Sequence, residues 1–519
     1  MNSLHDDVET TIAVAERRLV LWLFIFMACA FSIVQEGAIT DYDGRTMYAV
    51  TRSVIERGTF AVSNEFNTLP GSDGRDYSRY GLGLSLLAAI PYIAARPVAA
   101  FSGHADHALE AAVSFVMAFV VAALVAALYL LARQLGSRPR AALLVSVGAV
   151  AGTFVLPYGK EFFSEPLTAL CLVVAIERLL AGRSGAAGLA IGAAVLVRAQ
   201  SALFAPVLVL AAWRTQGVRA SLRAAGGVAP GVAATFAYNF VRFGDPLRFG
   251  YEDVGFTTPL MTGTIGLLFH PTKSLLLFAP ISLLLPFALW RLWCVHRWAF
   301  VLIAGNLFMT FGTAAMWFAW HGGWCWGPRL LIPGLVPAVS AVGPWLDRSS
   351  RLRVAALLLA VGFAVSLPAL VVPTQAQQLD GPPRSHEELW RGHYMRTQPL
   401  ASPSVLRQLQ LVIPTARYSV QHAYEGLDDG RNYLRYLSLW QVGATRVMRR
   451  TGLLVSLTIT PLLFVLMLIS GRRAGAAAKA IAVLDTNPRR VAGALNWFSG
   501  FQSRAWTDRP GERRSPPET

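Results

Sequence analysis

The sequence predicts an all-α polytopic membrane protein with about 11–13 transmembrane helices, because a bilayer core takes about 20 apolar residues per helix. Three observations predict it. Of 519 residues, 54% are hydrophobic and only 15% charged, with a mean hydropathy of +0.46; a soluble chain carries about a quarter charged residues. The apolar residues fall in long blocks. The basic residues gather in every second gap between those blocks.

Taken in order, Met1 to Glu16 is polar, and Arg17 and Arg18 precede a first span at about Leu19 to Val34. No small-residue cleavage site follows, so this run reads as a retained span rather than a signal peptide. A polar stretch, 35–80, leads into a short apolar segment, Gly81 to Ala95, broken by Pro91. At about 15 residues it is expected to be interfacial. Further blocks follow at about 109–132, 139–157, 166–182, 186–197, 200–213, 224–240, 274–293, 298–316, 329–346, 352–371 and 452–470. The 186–197 and 200–213 blocks are too short to span singly. With Arg198 and Gln200 at their junction, they predict a broken helical hairpin around a polar pocket, since a charge at membrane depth needs a cavity or a partner.

With the N-terminus inside, alternation puts Arg133, Arg138 and Arg140; Arg178 and Arg183; Arg214, Arg219 and Arg223; Arg291 and Arg297; and Arg348, Arg351 and Arg353 in cytoplasmic loops. The tail adds Arg472, Arg473, Lys479, Arg489 and Arg490. This obeys the positive-inside rule throughout. The expected division is a transmembrane body over 1–371, an outer segment over 372–451 able to form a small helical cap, a final span over 452–470, and a basic cytoplasmic tail over 471–519, disordered beyond about Arg504. The placement of the basic residues explains the net charge of +16 through membrane topology and predicts no nucleic-acid partner. The four cysteines, Cys29, Cys171, Cys294 and Cys325, have no metal-ligand spacing, so neither a disulfide framework nor a zinc site is expected.

The polar variety lies in the outer loops. Thr40-Asp-Tyr-Asp-Gly-Arg opens the first, giving the D-x-D pair Asp41 and Asp43. After it, Met47, Val50, Val54 and Ile55 recur at helical spacing, as in a surface helix. Tyr77-Ser-Arg-Tyr-Gly-Leu-Gly precedes the 81–95 segment, and Tyr158-Gly-Lys-Glu-Phe-Phe-Ser-Glu-Pro forms the second outer loop. Asn239-Phe-Val-Arg-Phe-Gly-Asp-Pro-Leu-Arg-Phe-Gly-Tyr, His270-Pro-Thr-Lys-Ser-Leu-Leu-Leu-Phe-Ala-Pro and Trp320-His-Gly-Gly-Trp-Cys-Trp-Gly-Pro-Arg follow in order. Together, over roughly residues 15–346, these motifs resemble the GT-C glycosyltransferases. Those polytopic enzymes use polyprenyl- or dolichyl-phosphate sugars, as protein mannosyltransferases and the lipid A aminoarabinose transferase do. The family's usual Asp-Glu is altered here, because Gly44 follows Asp43.

The resemblance implies a GT-C-like body with interfacial helices in the first outer loop. It implies inverting transfer of a sugar from a polyprenyl-phosphate donor, reached through the lipid bilayer, to an envelope glycan, lipid or protein on the outer face of the inner membrane. No cofactor and no bound metal are implied. Asp43 matches the catalytic acid. Arg45, Arg79, Arg198 and Lys273 are candidates for the donor phosphate. Asp41, Tyr80, Lys160, Glu165, Arg242, His321, Trp324 and Arg329 are candidates for substrate contact.

Each has a plainer reading. Asp43 or Asp41 could be a helix N-cap. Arg45 and Arg79 could be interfacial basics. Lys160, Glu161 and Glu165 could form local ion pairs, and Arg198 could merely hold the broken hairpin. Lys273 and Arg329 could anchor at the interface, and Trp317, Trp320, Trp324 and Trp326 could be an aromatic belt. Two other functions remain open at this stage: a secondary transporter, which matched broken helices in two halves would favour, and a non-catalytic envelope-assembly protein, which the lack of a cavity at Asp43 would favour.

Overall fold

The computed structural model describes residues 2–63, 67–374, 376–377, 404–422 and 435–484. Residues 485–519, with most of the expected tail, and residues 378–403 and 423–434 of the expected outer cap lie outside that range.

Every apolar block read from the sequence is helical. Helix α1 (Asn2–Ile33) carries the first span and begins well before it. Between it and the body come α2 (Tyr42–Arg57) and α3 (Gly83–Ala100). A small antiparallel sheet lies between those two helices, with strands β1 (Ala61–Val62), β2 (Thr68–Pro70) and β3 (Asp76–Ser78) in the order β1-β3-β2. Strands of two or three residues carry no periodicity, which is why the all-α expectation missed them. Helix α3 also departs from expectation. It runs 18 residues, through Pro91 and Pro97, and is long and apolar enough to cross a membrane.

Helices α4 (Ala105–Ser114) and α5 (Val116–Gln134) divide one block at Phe115. They are followed by α6 (Pro139–Ala151), a 3-10 turn at Leu156–Gly159, and α7 (Ser164–Leu180). Next are α8 (Ser184–Val197), a 3-10 turn at Ala199–Phe204, α9 (Ala205–Gln216) and α10 (Val218–Phe243). A helix absent from the sequence reading, α11 (Leu260–Phe269), precedes α12 (Leu275–Phe278) and α13 (Leu285–Val295). Helices α14 (Arg297–Met316), α15 (Ile332–Val339) and α16 (Ser349–Val371) complete the body. Beyond it lie α17 (Val405–Gln421) and α18 (Trp440–Leu484), the latter interrupted at Arg449, where φ is +50°. The last span is therefore part of a much longer helical segment than the 452–470 block.

Among the described residues, five helical stretches are long and apolar enough to cross a membrane: 83–100, 105–134, 297–316, 349–371 and 440–482. Shorter apolar helical stretches lie at 139–151, 184–197, 260–269 and 280–295. The chain is a multi-pass membrane protein.

The broken hairpin forms where the sequence placed it. Helix α8 stops at Arg198, whose backbone is extended (φ −146°, ψ 110°). Helix α9 then runs back, and its last residue, Gln216, donates to the Leu179 carbonyl at 2.7 Å. Helix α10 rises beside α8 through a glycine seam. A Cβ on Gly231 would sit 2.0 Å from the Gly192 carbonyl oxygen, and one on Gly188 2.0 Å from that of Ala224. In lipid, where apolar burial drives little association, such backbone proximity and its dispersion contacts hold helices together.

A large core joins α1, α5, α7 and the later helices. A second cluster, with Met47, Leu84, Ala88, Tyr92, Val113 and Met117 buried, clamps α2 and α3 onto α4 and α5. That cluster fixes the start of α2 at one end of the bundle.

Candidate active site

A cavity of about 1130 Å³ opens at that end of the bundle. Its lining includes the starts of α2 and α7, the ends of α8, α10 and α14, and the loop before α15. Polar groups thus converge at one end rather than at mid-depth.

Asp41 and Asp43 diverge there. Asp41 is the N-cap of α2: its backbone is extended, and its Oδ1 accepts from the Gly44 amide at 2.5 Å. It is buried away from the cavity lining, and its Oδ2 has no hydrogen-bond partner among the described residues. Burial, together with the neighbouring Asp43 charge, pushes its carboxyl well above the ordinary carboxylate range. Gly44 is needed at its position because a Cβ would lie within 3 Å of both Asp41 carboxylate oxygens and the Phe162 carbonyl.

Asp43, in the first turn of α2, faces the cavity. Its Oδ2 lies 2.7 Å from Arg329 Nη2, and its Oδ1 accepts from Asn67 Nδ2 at 3.0 Å. Asn67 reaches it from β2's leading edge, where its backbone is left-handed (φ +57°), a conformation Asn tolerates better than most residues.

A line of alternating charge continues from Asp43. Arg329 Nε donates to the Gly322 carbonyl at 2.7 Å and lies 3.8 Å from Glu165 Oε1. The Arg329 guanidinium stacks over Phe163, 4.4 Å from its ring centre. Glu165, in the first turn of α7 and buried, pairs with Arg198 Nη1 at 2.8 Å. Arg198 also donates to Ser164 at 3.2 Å. Two carboxylates and two guanidiniums so line one wall, and the Arg329 Nη1 nitrogen is buried with no hydrogen-bond partner among the described residues.

Other expected residues are also at the cavity. Tyr80 lines it, and burial plus the nearby Asp43 carboxylate pushes its hydroxyl well above the usual phenol range. Arg79 lines it too, but its guanidinium is held by both oxygens of Asp253, each at 2.7 Å. Arg242 is buried against the Tyr238 ring at 3.9 Å and donates to Asn239 Oδ1 at 2.6 Å and to the Ser78 carbonyl. His321 accepts from the Gly323 amide through Nδ1 at 3.0 Å. Burial and the cations Lys273 and Arg329 push its pKa down to about 3, so the ring is neutral. Trp324 lines the cavity with its Nε1 donating to the Thr374 carbonyl at 3.1 Å. Trp317 and Trp320 join it in the lining, whereas Trp326 is wholly buried against Phe278.

Besides Asp41, three expected residues lie elsewhere. Arg45 is exposed on the outer side of α2 and is not in the lining. Lys160 is buried in an ion pair with Glu36 at 3.0 Å. Lys273 is fully buried, and its ammonium donates to the carbonyls of Gly323 at 3.0 Å and Cys325 at 2.6 Å. It braces the aromatic loop that carries His321 and Trp324 instead of facing a ligand. The basic residue type fitted either role, and only the fold separates them.

Asn67, Tyr238 and Asp253 were missed, and Tyr251 was noted only as the last residue of the motif that begins at Asn239. Asn67 and Asp253 lie between helices and Tyr238 lies in the last turns of α10, and no periodic pattern marks them.

The fold is similar to that of ArnT from Cupriavidus metallidurans in the apo state (TM-score 0.47, 13% identity), over 93% of this chain and 77% of that one. It is similarly related to the same protein bound to undecaprenyl phosphate (TM-score 0.48, 13% identity, 90% and 76% covered). A third similar structure is the oligosaccharyltransferase AglB from Archaeoglobus fulgidus, in complex with an inhibitory peptide and a dolichol-phosphate (TM-score 0.41, 14% identity). There, 81% of this chain aligns with 59% of AglB. No protein-family model matches the chain, and no curated protein matches it in sequence.

Proposed function

We propose that this chain is an inverting glycosyltransferase of the membrane, transferring a sugar from a polyprenyl-phosphate donor to a hydroxyl of an envelope glycan, lipid or protein. The observation that carries the reading is the Asp43 carboxylate at the cavity wall, held through Oδ2 by Arg329 and through Oδ1 by Asn67. Each carboxylate oxygen has two lone pairs, so a site for an acceptor O–H remains. In the reaction the acceptor oxygen attacks the anomeric carbon and its proton passes to Asp43. The bond from that carbon to the donor's phosphate oxygen breaks, and the electron pair leaves on the phosphate. The leaving group needs a cation rather than an acid. Arg329, with its unpartnered Nη1, and Arg198 are the side chains suited to that charge.

Val195, Leu203, Phe256 and Leu330 make another part of the lining apolar, which suits the first units of an isoprenoid chain. The Trp317, Trp320 and Trp324 side chains offer ring faces against which a sugar can pack. The gathering of polar groups at helix ends supports transfer chemistry over carriage of a solute across the bilayer.

We place the cavity end outside the inner membrane and both termini in the cytoplasm, because the arginine-rich gaps lie at the other end of the bundle. Labelling of single cysteines in intact cells tests this, and reaction at the α18 end but not near α2 would reverse it. The activity test uses purified protein in vesicles with radiolabelled polyprenyl-phosphate sugars and isolated envelope acceptors. Label should move from lipid to acceptor, and polyprenyl phosphate should be released in equal amount. Failure of every donor to react or bind would remove the proposal.

A further inference from the structure

Helix α17 is inside out for a helix bathed in water. Its buried residues are polar: Gln408 is 0% exposed, and Thr415 and Ser419 are each 5% exposed. Its outward stripe is apolar: Leu406 is 68% exposed, Ile413 70% and Val420 78%, with Leu409 between them. The spacing 406, 409, 413, 420 keeps these side chains on one face of a 3.6-residue helix. The exposed Arg407, Gln410 and Arg417 occupy the neighbouring arc.

The polar face is satisfied by the body, so its burial is not an accident of loose docking. Gln408 donates to the Val372 carbonyl at 2.8 Å, just past the end of α16. Three turns further on, Ser419 accepts from the Leu437 amide at 2.8 Å, and the adjoining Ser438 amide donates to the Val371 carbonyl at 2.9 Å. Both halves of α17 are therefore tied at the level where α16 ends. Helix α16 is a membrane-crossing candidate with Phe363 and Leu367 exposed near that end. The apolar stripe of α17 adjoins a surface that faces lipid.

In water this arrangement would expose four large apolar side chains while burying three polar ones, the reverse of what the hydrophobic effect selects. Against acyl chains it is the favourable arrangement. The basic arc beside the stripe suits lipid phosphates, as in helices that lie in the bilayer interface. We propose that α17 lies in the interface of the leaflet at the cavity end of the bundle, with Leu406, Leu409, Ile413 and Val420 seated among the acyl chains and Arg407 and Arg417 at the headgroups. Helix α17 is then a membrane-seated element rather than part of an outer cap in water.

Depth-resolved quenching tests this on the full chain in vesicles of phosphatidylcholine with anionic phosphatidylglycerol. Variants Leu409→Cys, Ile413→Cys and Gln410→Cys are made in a Cys294→Ser background and carry an environment-sensitive fluorophore, with the background protein as blank. Labels at 409 and 413 should be quenched several-fold more by nitroxide-bearing lipids than the label at 410, and should resist aqueous iodide. Equal iodide quenching at all three positions would overturn the proposal. So would shielding of 409 and 413 from both quenchers with cross-linking between copies, which would make the occupant a second chain. These side chains stand clear of the body, so an unchanged thermal midpoint confirms that the labelled proteins are folded.

Discussion

Replacing Asp43 by Asn tests the proposed chemistry most directly. The amide keeps the size of the carboxylate and can still offer an oxygen to Arg329 or to Asn67, but it cannot take a proton. Loss of a general base costs on the order of 10²–10⁴-fold in turnover, or about 3–5 kcal/mol in the barrier. The structural cost is smaller. Asp43 and Arg329 are 18% and 13% exposed and 2.7 Å apart, and stripping one partner from a fully buried pair costs about 3–5 kcal/mol. Here Glu165 stands 3.8 Å from the Arg329 Nε and remains to balance it, so the loss of stability should fall below that range. The assay is transfer of labelled sugar at saturating donor and acceptor, with donor affinity measured separately by equilibrium binding. Turnover should collapse while donor affinity changes by less than about tenfold, a limit equivalent to about 1.4 kcal/mol. Turnover near the wild-type rate in a folded Asp43→Asn protein would refute Asp43 as the base and make Glu165 the next carboxylate to test.

Other outcomes follow from the same geometry. Arg329→Gln and Arg198→Gln should each weaken donor binding by about 10–100-fold, the scale of a charge-assisted hydrogen bond, and unchanged donor affinity in folded variants would exclude that role. Gly231→Ala should lower the thermal midpoint, because its Cβ would meet the Gly192 carbonyl at 2.0 Å; overpacking of this kind costs about 1–3 kcal/mol. Gly226→Ala, on the same helix with nothing near its Cβ, should be neutral or stabilising, and equal effects would disprove the glycine seam. Glu161, buried in the loop before α7 beside Glu36, has its pKa raised to about 7, chiefly by burial. The native state then holds a proton that the unfolded chain releases, so stability should fall as the pH rises from about 4.5 to about 7. Each pKa unit is worth about 1.4 kcal/mol, giving a total of about 3.5 kcal/mol at most. Glu161→Gln should flatten that decline in the thermal midpoint, and an unaltered slope would assign it to other groups.

What the sequence determined by itself was the membrane character, the helical blocks, the broken hairpin at Arg198 and the family likeness. These rest on local quantities. A run of apolar residues must be helical in lipid whatever its neighbours do, because no water is there to satisfy its backbone. A charge between two short runs must likewise find a cavity. The short strands, α11 and the inverted α17 escaped because each is too short, or carries its polarity on the unexpected face.

The site was legible only in part for a related reason. Asp43, Tyr80, Glu165, Arg198 and Arg329 stand at helix ends that the fold gathers to one cavity, and motif order pointed to them. Residue type could not distinguish Arg329, which reaches across to Asp43, from Lys273, which turns inward to hold carbonyls, or Asp43 from Asp41 two residues earlier. A carboxylate two residues along a helix start points about 200° away, so one of the pair caps the helix while the other faces the cavity. That choice, and the meeting of Asn67 with Asp43 across 24 residues of chain, belongs to the packing of α2 on α3 and α5 and to nothing in the local sequence.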